Sequence, residues 1–212
     1  MSTMPGKQYY NVGVLLFQGA DILDFAGPME VLSHVLHNGN PDDPDRMFAI
    51  QTIARRKIIR AANALSVQVD RLLVHALENI SEYDILVVPG GPPSVLLPMA
   101  DANVPEVELI RKFACLPRTA PHRPRLLFSV CTGAFLLGAT GVLSGLTITT
   151  HHRALDTLRD ICLKSANKAE PPTSVVHKRY VDGGFLKGDA MRVITAGVLV
   201  RASTRPSTLS TC

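Results

Sequence analysis

The chain alternates between short, continuously apolar runs and longer stretches whose apolar residues recur at helical spacing. "NVGVLLF" (residues 11–17) is too short for a helix and is closed by Gly19, so it predicts a buried first strand. In "DILDFAGPMEVLSHVLHN", Leu23, Met29, Leu32, Val35 and Leu36 fall near helical spacing, which predicts a helix from about Pro28 to Gly39. "NGNPDDPD" reads as a loop, and "MFAIQTIA" and "LSVQVD" as shorter strands around a basic turn. "YDILVVPGG" (83–91) has consecutive Ile, Leu and Val residues, as a parallel strand covered on both faces would, and Pro89-Gly90-Gly91 stops it. Helical periodicity returns in "PEVELIRKFACL". "LLFSV" then predicts a strand, "TGAFLLGATGVL" a short helix, "LTITT" (146–150) a strand and "HHRALDTLRDICLK" a helix. "SVVHKRYVDGGFL" predicts a β-hairpin turning at Lys178–Arg179 or at Asp182–Gly183–Gly184, and "RVITAG" a last strand.

Such alternation implies right-handed βαβ units, hence an α/β fold with a mainly parallel sheet between helix layers. Ligands of such sheets bind beyond the carboxyl ends of the strands. Three features are expected at that edge: Asp24 after the first strand, Gly90 and Gly91 after "ILVV", and Cys131 after "LLFSV".

Composition narrows the function classes. A length of 212 residues, with 46% hydrophobic and 19% charged residues and no Trp, suits one domain with an aliphatic core. No secretory signal and no apolar run of membrane-spanning length is evident, so the expected compartment is the cytoplasm, without a membrane partner. Cys115, Cys131, Cys162 and Cys212 form no C-x-x-C pair, which argues against disulfides and structural zinc. His34 and His37 could share a helix face, but no further ligand accompanies them, so no metal is expected. The net charge of +4 is carried by "ARRKIIR", "RTAPHRPR" and "HKRY". These lack interleaved aromatics and a recognition helix, so no nucleic-acid partner is expected.

Cys131 has two readings. Free cysteine is commonly a buried packing residue. A strand-to-helix corner flanked by the small Ser129 and Gly133 also suits a nucleophile on a tight turn, where the following helix would favour the thiolate. Gly90 and Gly91 offer unobstructed backbone N–H groups to a developing negative charge, or they merely end a strand. Asp24 lies in the apolar "ILDFAGPMEVL", either as a helix cap or as a carboxyl beside the thiol with a raised pKa.

"VGVLLFQGADILDFAGPMEVL", "YDILVVPGG", "SVCTGAFLLGATGVLSGLTITTHH" and "RYVDGG…VITAG" together resemble the ThiJ/PfpI superfamily. They are most similar to its isocyanide-hydratase-like branch, a class I glutamine-amidotransferase-like domain. The resemblance runs from about residue 11 to 197 and implies a flavodoxin-like three-layer sandwich with a cysteine nucleophile elbow, usually a homodimer. It implies Cys131 as nucleophile, Asp24 as its hydrogen-bonded acid, and the N–H groups of Thr132 and Gly91 as charge binders. His151 borders the site in relatives, and His152 replaces a common Trp of the pocket wall. Thr132 stands where protease-like members carry histidine, which argues against a peptidase.

The implied reaction is cofactor-free hydration of a small electrophile, an isocyanide, to an N-substituted formamide through a Cys131 thioimidate. Two other readings are a glyoxalase or deglycase acting on α-oxoaldehydes, and a non-catalytic redox-sensing or ligand-binding module. Residues 198–212 diverge from the pattern: "VLVRASTRPSTLSTC" lacks the helical face with which relatives continue, as a truncated or altered C-terminus would.

Overall fold

A computed structural model describes residues 7–120, 123–166, 169–186 and 189–197. The tail singled out above, 198–212, lies outside the described residues. Strand β1 (Tyr10–Leu15) is solvent-free over its last four positions, because a central strand has helices on both sides and needs an unbroken apolar run. Helix α1 (Ile22–Ser33) follows, then β2 (Phe48–Ala54), the hairpin β3 (Ile58–Ala61) and β4 (Leu65–Gln68), β5 (Arg71–Leu72) and α2 (Leu73–Glu78). Next come β6 (Ile85–Val88), α3 (Pro93–Asp101), α4 (Pro105–Ala114), β7 (Arg125–Val130) and α5 (Ala134–Ala139). The described chain closes with β8 (Thr147–Ile148), α6 (Leu155–Ser165), β9 (Ser174–Val175), β10 (Tyr180–Phe185) and β11 (Met191–Ala196).

The main sheet has the order β10-β11-β7-β6-β1-β2-β5. Only β10 runs antiparallel to its neighbour, and the other pairings are parallel. Helices flank the sheet: α3, α4 and α6 all pack on α5, and α1 lies against β2. This is the mainly parallel α/β arrangement that the alternation implies, in the flavodoxin-like form that the resemblance implies. The chain moves from β1 outward to β2 and returns to place β6 on the other side of β1. The carboxyl ends of β1 and β6 therefore frame a topological switch point, where open α/β sheets form their ligand crevice.

Several expectations need correction. Helix α1 begins at Ile22 rather than near Pro28, which sits inside it. A proline lacks the N–H that would bond four residues back, so the carbonyl of Asp24 has no helical partner there, and the helix continues past it. It ends at Ser33, with His34 as its C-cap, so His34 and His37 do not share a helix face. Instead His34 Nε2 lies 3.0 Å from Glu30, and His37 Nε2 lies 2.7 Å from the Gln8 carbonyl. Helix α3 was not anticipated, since "PPSVLLP" carries loop-type prolines, yet Pro93 falls in the first turn, where proline is tolerated. The basic stretch at 54–60 is no simple turn, because Ile58–Ala61 pairs with Leu65–Gln68. The hairpin is formed by β10 and β11, and Gly183 and Gly184 lie within β10 at a register shift. Gly184, at φ +84°, supplies the left-handed backbone that this bulge requires.

Candidate active site

Strand β7 delivers Val130 in extended conformation, and the next residue, Cys131, turns to φ +55° before the 3₁₀ turn Cys131–Gly133 leads into α5. A left-handed backbone at a non-glycine residue costs on the order of 1 kcal/mol and is held only where its surroundings enforce it. Here they do. The Cys131 N–H donates to the Gly197 carbonyl at 3.0 Å, and the Thr150 hydroxyl donates to the Cys131 carbonyl at 2.7 Å. From below, Gly133 rests on the end of β6, where a Cβ would fall 2.3 Å from the Val88 carbonyl oxygen. Gly133 is therefore packed under the elbow, against the end of β6.

Asp24 reaches the same corner from the first turn of α1, where it is 5% exposed. The Gly90 N–H donates to its Oδ2 at 3.1 Å. The Gly91 N–H donates to Thr132 Oγ1 at 3.0 Å, and that hydroxyl donates to the Gly91 carbonyl at 2.7 Å. Both glycine N–H groups thus orient the carboxyl and the elbow. Thr132 is the residue whose N–H and hydroxyl favour the ionised form of the sulfur. Glycine is required at 90 for lack of room: a Cβ there would meet Asp24 Oδ2 at 2.7 Å and Cys131 Cβ and Thr132 N at 2.8 Å.

Burial, joined by the charge of Asp21, pushes the Asp24 carboxyl up to about 6, against the pull of Gly90 and of the Cys131 thiol. Burial and then the charge of Asp24 push the Cys131 thiol up to about 12, although the Thr132 N–H works in the other direction. The thiolate expected from the helix terminus is therefore not the resting form. At neutral pH the site holds a thiol beside a carboxylate, because the neighbouring anion and the loss of water outweigh the dipole of a short helix.

Asp21 is the residue that sequence reasoning missed. Its carboxylate, the Asp24 carboxylate and the Cys131 sulfur all lie within 4.8 Å of one another. The signal was present in "DILD": three residues apart in a first helical turn, Asp21 and Asp24 share a face. Placing the helix start at Pro28 concealed it.

His151 lies close enough to Asp21 for each to affect the other's charge, and burial, followed by the charges of His152 and Arg153, pushes its pKa down. Its Nδ1 accepts the Arg153 N–H at 3.1 Å, which leaves the proton of the neutral ring on Nε2. The ring stacks on that of the exposed His152, with centroids 4.4 Å apart.

Residues 10–208 match the DJ-1/PfpI family, and the chain belongs to it. It is 33% identical over 156 residues to an uncharacterised protein of Streptomyces lividans encoded in the cpoL 5′ region, spanning 72% of this chain and 95% of that one. It is 30% identical over 156 residues to the isonitrile hydratase of Pseudomonas putida, spanning 72% of this chain but only 58% of the hydratase. Among solved structures, a ThiJ/PfpI family protein from Pseudomonas syringae superposes with a TM-score of 0.63 at 19% identity, over 93% of this chain and 66% of that one. Drosophila melanogaster DJ-1beta superposes with a TM-score of 0.62 at 18% identity, over 90% and 82% of the two chains. At such identities these two structures establish the fold alone.

Proposed function

We propose that this protein is a cysteine-dependent hydratase that converts isocyanides to N-substituted formamides without a cofactor. The observation that carries the reading is the buried pair itself: a thiol on a strained elbow, within 4.8 Å of a buried carboxyl raised to about 6. The family membership and the likeness to an isonitrile hydratase support the choice of electrophile. Thr132, in place of a histidine, makes Asp24 the base for the thiol.

The terminal carbon of an isocyanide accepts a nucleophile and a proton at the same atom. Asp24 takes the thiol proton as Cys131 Sγ bonds to that carbon, and returns it there, giving a thioimidate, R–N=CH–S–Cys. Water then adds to the carbon, the nitrogen gains a proton, the C–S bond breaks with its electron pair on sulfur, and the formamide R–NH–CHO leaves with the thiol restored. One difficult addition becomes two easier ones, and the net change is RNC plus water.

Formamide release from an aryl isocyanide tests this. The wild type is expected to turn over, whereas Cys131→Ala and Asp24→Asn should lose at least about 100-fold in kcat/KM, the scale of a lost nucleophile or general base. Since Asp24 must be ionised and Cys131 protonated, kcat/KM should rise through about pH 6 and stay level toward the alkaline side. Equal turnover in all three proteins would refute the assignment.

A further inference from the structure

Asp21 holds the N-cap position of α1, with extended backbone at φ −71° and ψ 127°, yet its side chain makes no capping hydrogen bond. Aspartate in that position ordinarily turns its carboxylate onto the helix's free N–H groups, a stabilising contact. Here the carboxylate lies within 4.8 Å of a second carboxylate and of the nucleophilic sulfur. It thereby forgoes a favourable contact and accepts a repulsive one. The backbone fixes it there, through an Asp21 N–H donated to the Gly90 carbonyl at 2.9 Å, so the loop that orients Asp24 also holds Asp21. Asp24 is buried whereas Asp21 is partly open to solvent, so the two present an inner and an outer carboxyl over one thiol.

We propose that Asp21 is the second acid–base group of this site, coupled to Asp24 and serving the water-side proton transfers. The proposal rests on the hydratase reading and completes its proton balance. In the first step one proton moves from sulfur to carbon, and Asp24 alone can carry it. The second step moves two: one from the attacking water to nitrogen, and one from the resulting hydroxyl to the departing sulfur. A carboxylate holds one proton at a time. Asp21 takes the water proton as oxygen bonds to carbon, and delivers it to the nitrogen that receives the C=N electron pair. Asp24 then carries the hydroxyl proton to sulfur as the C–S bond breaks. The groups facing this pair are the Cys131 thiol from the elbow, the Gly90 N–H from the loop after β6, and His151, backed by His152 and Arg153, from the segment before α6.

Two measurements on the full chain test this, with Asp21→Asn, Asp21→Glu and wild type compared. The first is the pH dependence of Cys131 alkylation by iodoacetamide, which needs no isocyanide. Removing the outer charge should move the rising limb of Asp21→Asn to lower pH, with Asp21→Glu restoring it; a limb that does not move overturns the pair. The second is a single turnover with an aryl isocyanide, followed by mass spectrometry. Asp21→Asn should form the Cys131 adduct within about threefold of the wild-type rate but release formamide at least 30-fold more slowly, so that the adduct accumulates, and Asp21→Glu should recover part of the release. Equal loss of both steps, or no change in either, overturns the water-side role. A wild type that forms neither adduct nor formamide refutes the hydratase reading, and a shifted alkylation limb in the same experiment still supports the carboxyl pair.

Discussion

Two buried side chains of the site hold the fold at a cost, and each cost can be measured by removing its cause. Cys131 sits at φ +55°, a conformation that alanine retains with its strain and glycine adopts freely. Cys131→Gly is therefore expected to be more stable than Cys131→Ala by about 1 kcal/mol, the left-handed penalty that alanine keeps, as read from urea unfolding at equal slope. Asp24 carries the larger cost. Its carboxyl is raised from 3.8 to about 6 in the folded protein, so the native state binds a proton more tightly than the unfolded chain. Stability at this group is greatest below about pH 4 and falls as pH rises through 6, by up to about 3 kcal/mol at 1.36 kcal/mol per pH unit. Asp24→Asn should thus unfold several degrees higher than wild type at pH 7.5, with the difference vanishing near pH 4, while it loses activity. An Asn variant less stable than wild type at pH 7.5 would show that the carboxylate is held by contacts stronger than its burial cost.

At the scale of elements, the site is a place where three turns press together without room for side chains. Gly90→Ala would bring a methyl group to 2.7–2.8 Å from Asp24 Oδ2, Cys131 Cβ and Thr132 N, two of them backbone or backbone-adjacent atoms that cannot swing aside. It is expected to lower kcat/KM at least about 100-fold and cost roughly 2 kcal/mol or more, as overpacking of a rigid site does. Parallel assays of turnover and thermal unfolding would check both. The same crowding explains what could be read from the chain alone. Cys131 and Gly90 drew notice because each stands at the end of an apolar run, and Asp24 because it is a charge inside one. The partnerships were not: the engagement of Gly91 with Thr132, and of Thr150 with the elbow carbonyl, joins residues far apart in sequence, and no periodicity reports it. Local misreadings had a local cause. Pro28 inside α1 and Pro93 and Pro98 in α3 look like helix breaks, and tertiary packing overrides them.

Across the whole molecule, stability is graded from the middle of the sheet outward. Strands β1, β6 and β7 occupy its centre and are almost wholly buried, whereas β5 has two residues at one edge, and β4 lies in a separate hairpin with most positions exposed. Native-state hydrogen exchange should accordingly be slowest at Val12–Leu15, Leu86–Val88 and Leu127–Val130 and orders of magnitude faster in the β3–β4 hairpin. Uniform protection would contradict this grading. The α/β class was evident from the alternation of runs, but the strand order was not, because a sequence pattern records that strands exist and not which neighbours they take. The antiparallel β10 shows the limit, since its glycine pair reads as a turn in one dimension and is a bulge in three.

The clasp on Cys131 has a temporal meaning as well. Its amide hydrogen is held by Gly197, at the end of β11, so the last described strand must be in place before the corner is braced. Chains emerge from the ribosome at roughly 5–20 residues per second, N-terminal parts first. For several seconds after Cys131 has been made, the growing chain carries an ordinary cysteine whose backbone is free to relax. The hydrogen bond from the Cys131 amide to Gly197 closes only when β11 docks beside β7, so the elbow is fully braced late in the assembly of the sheet.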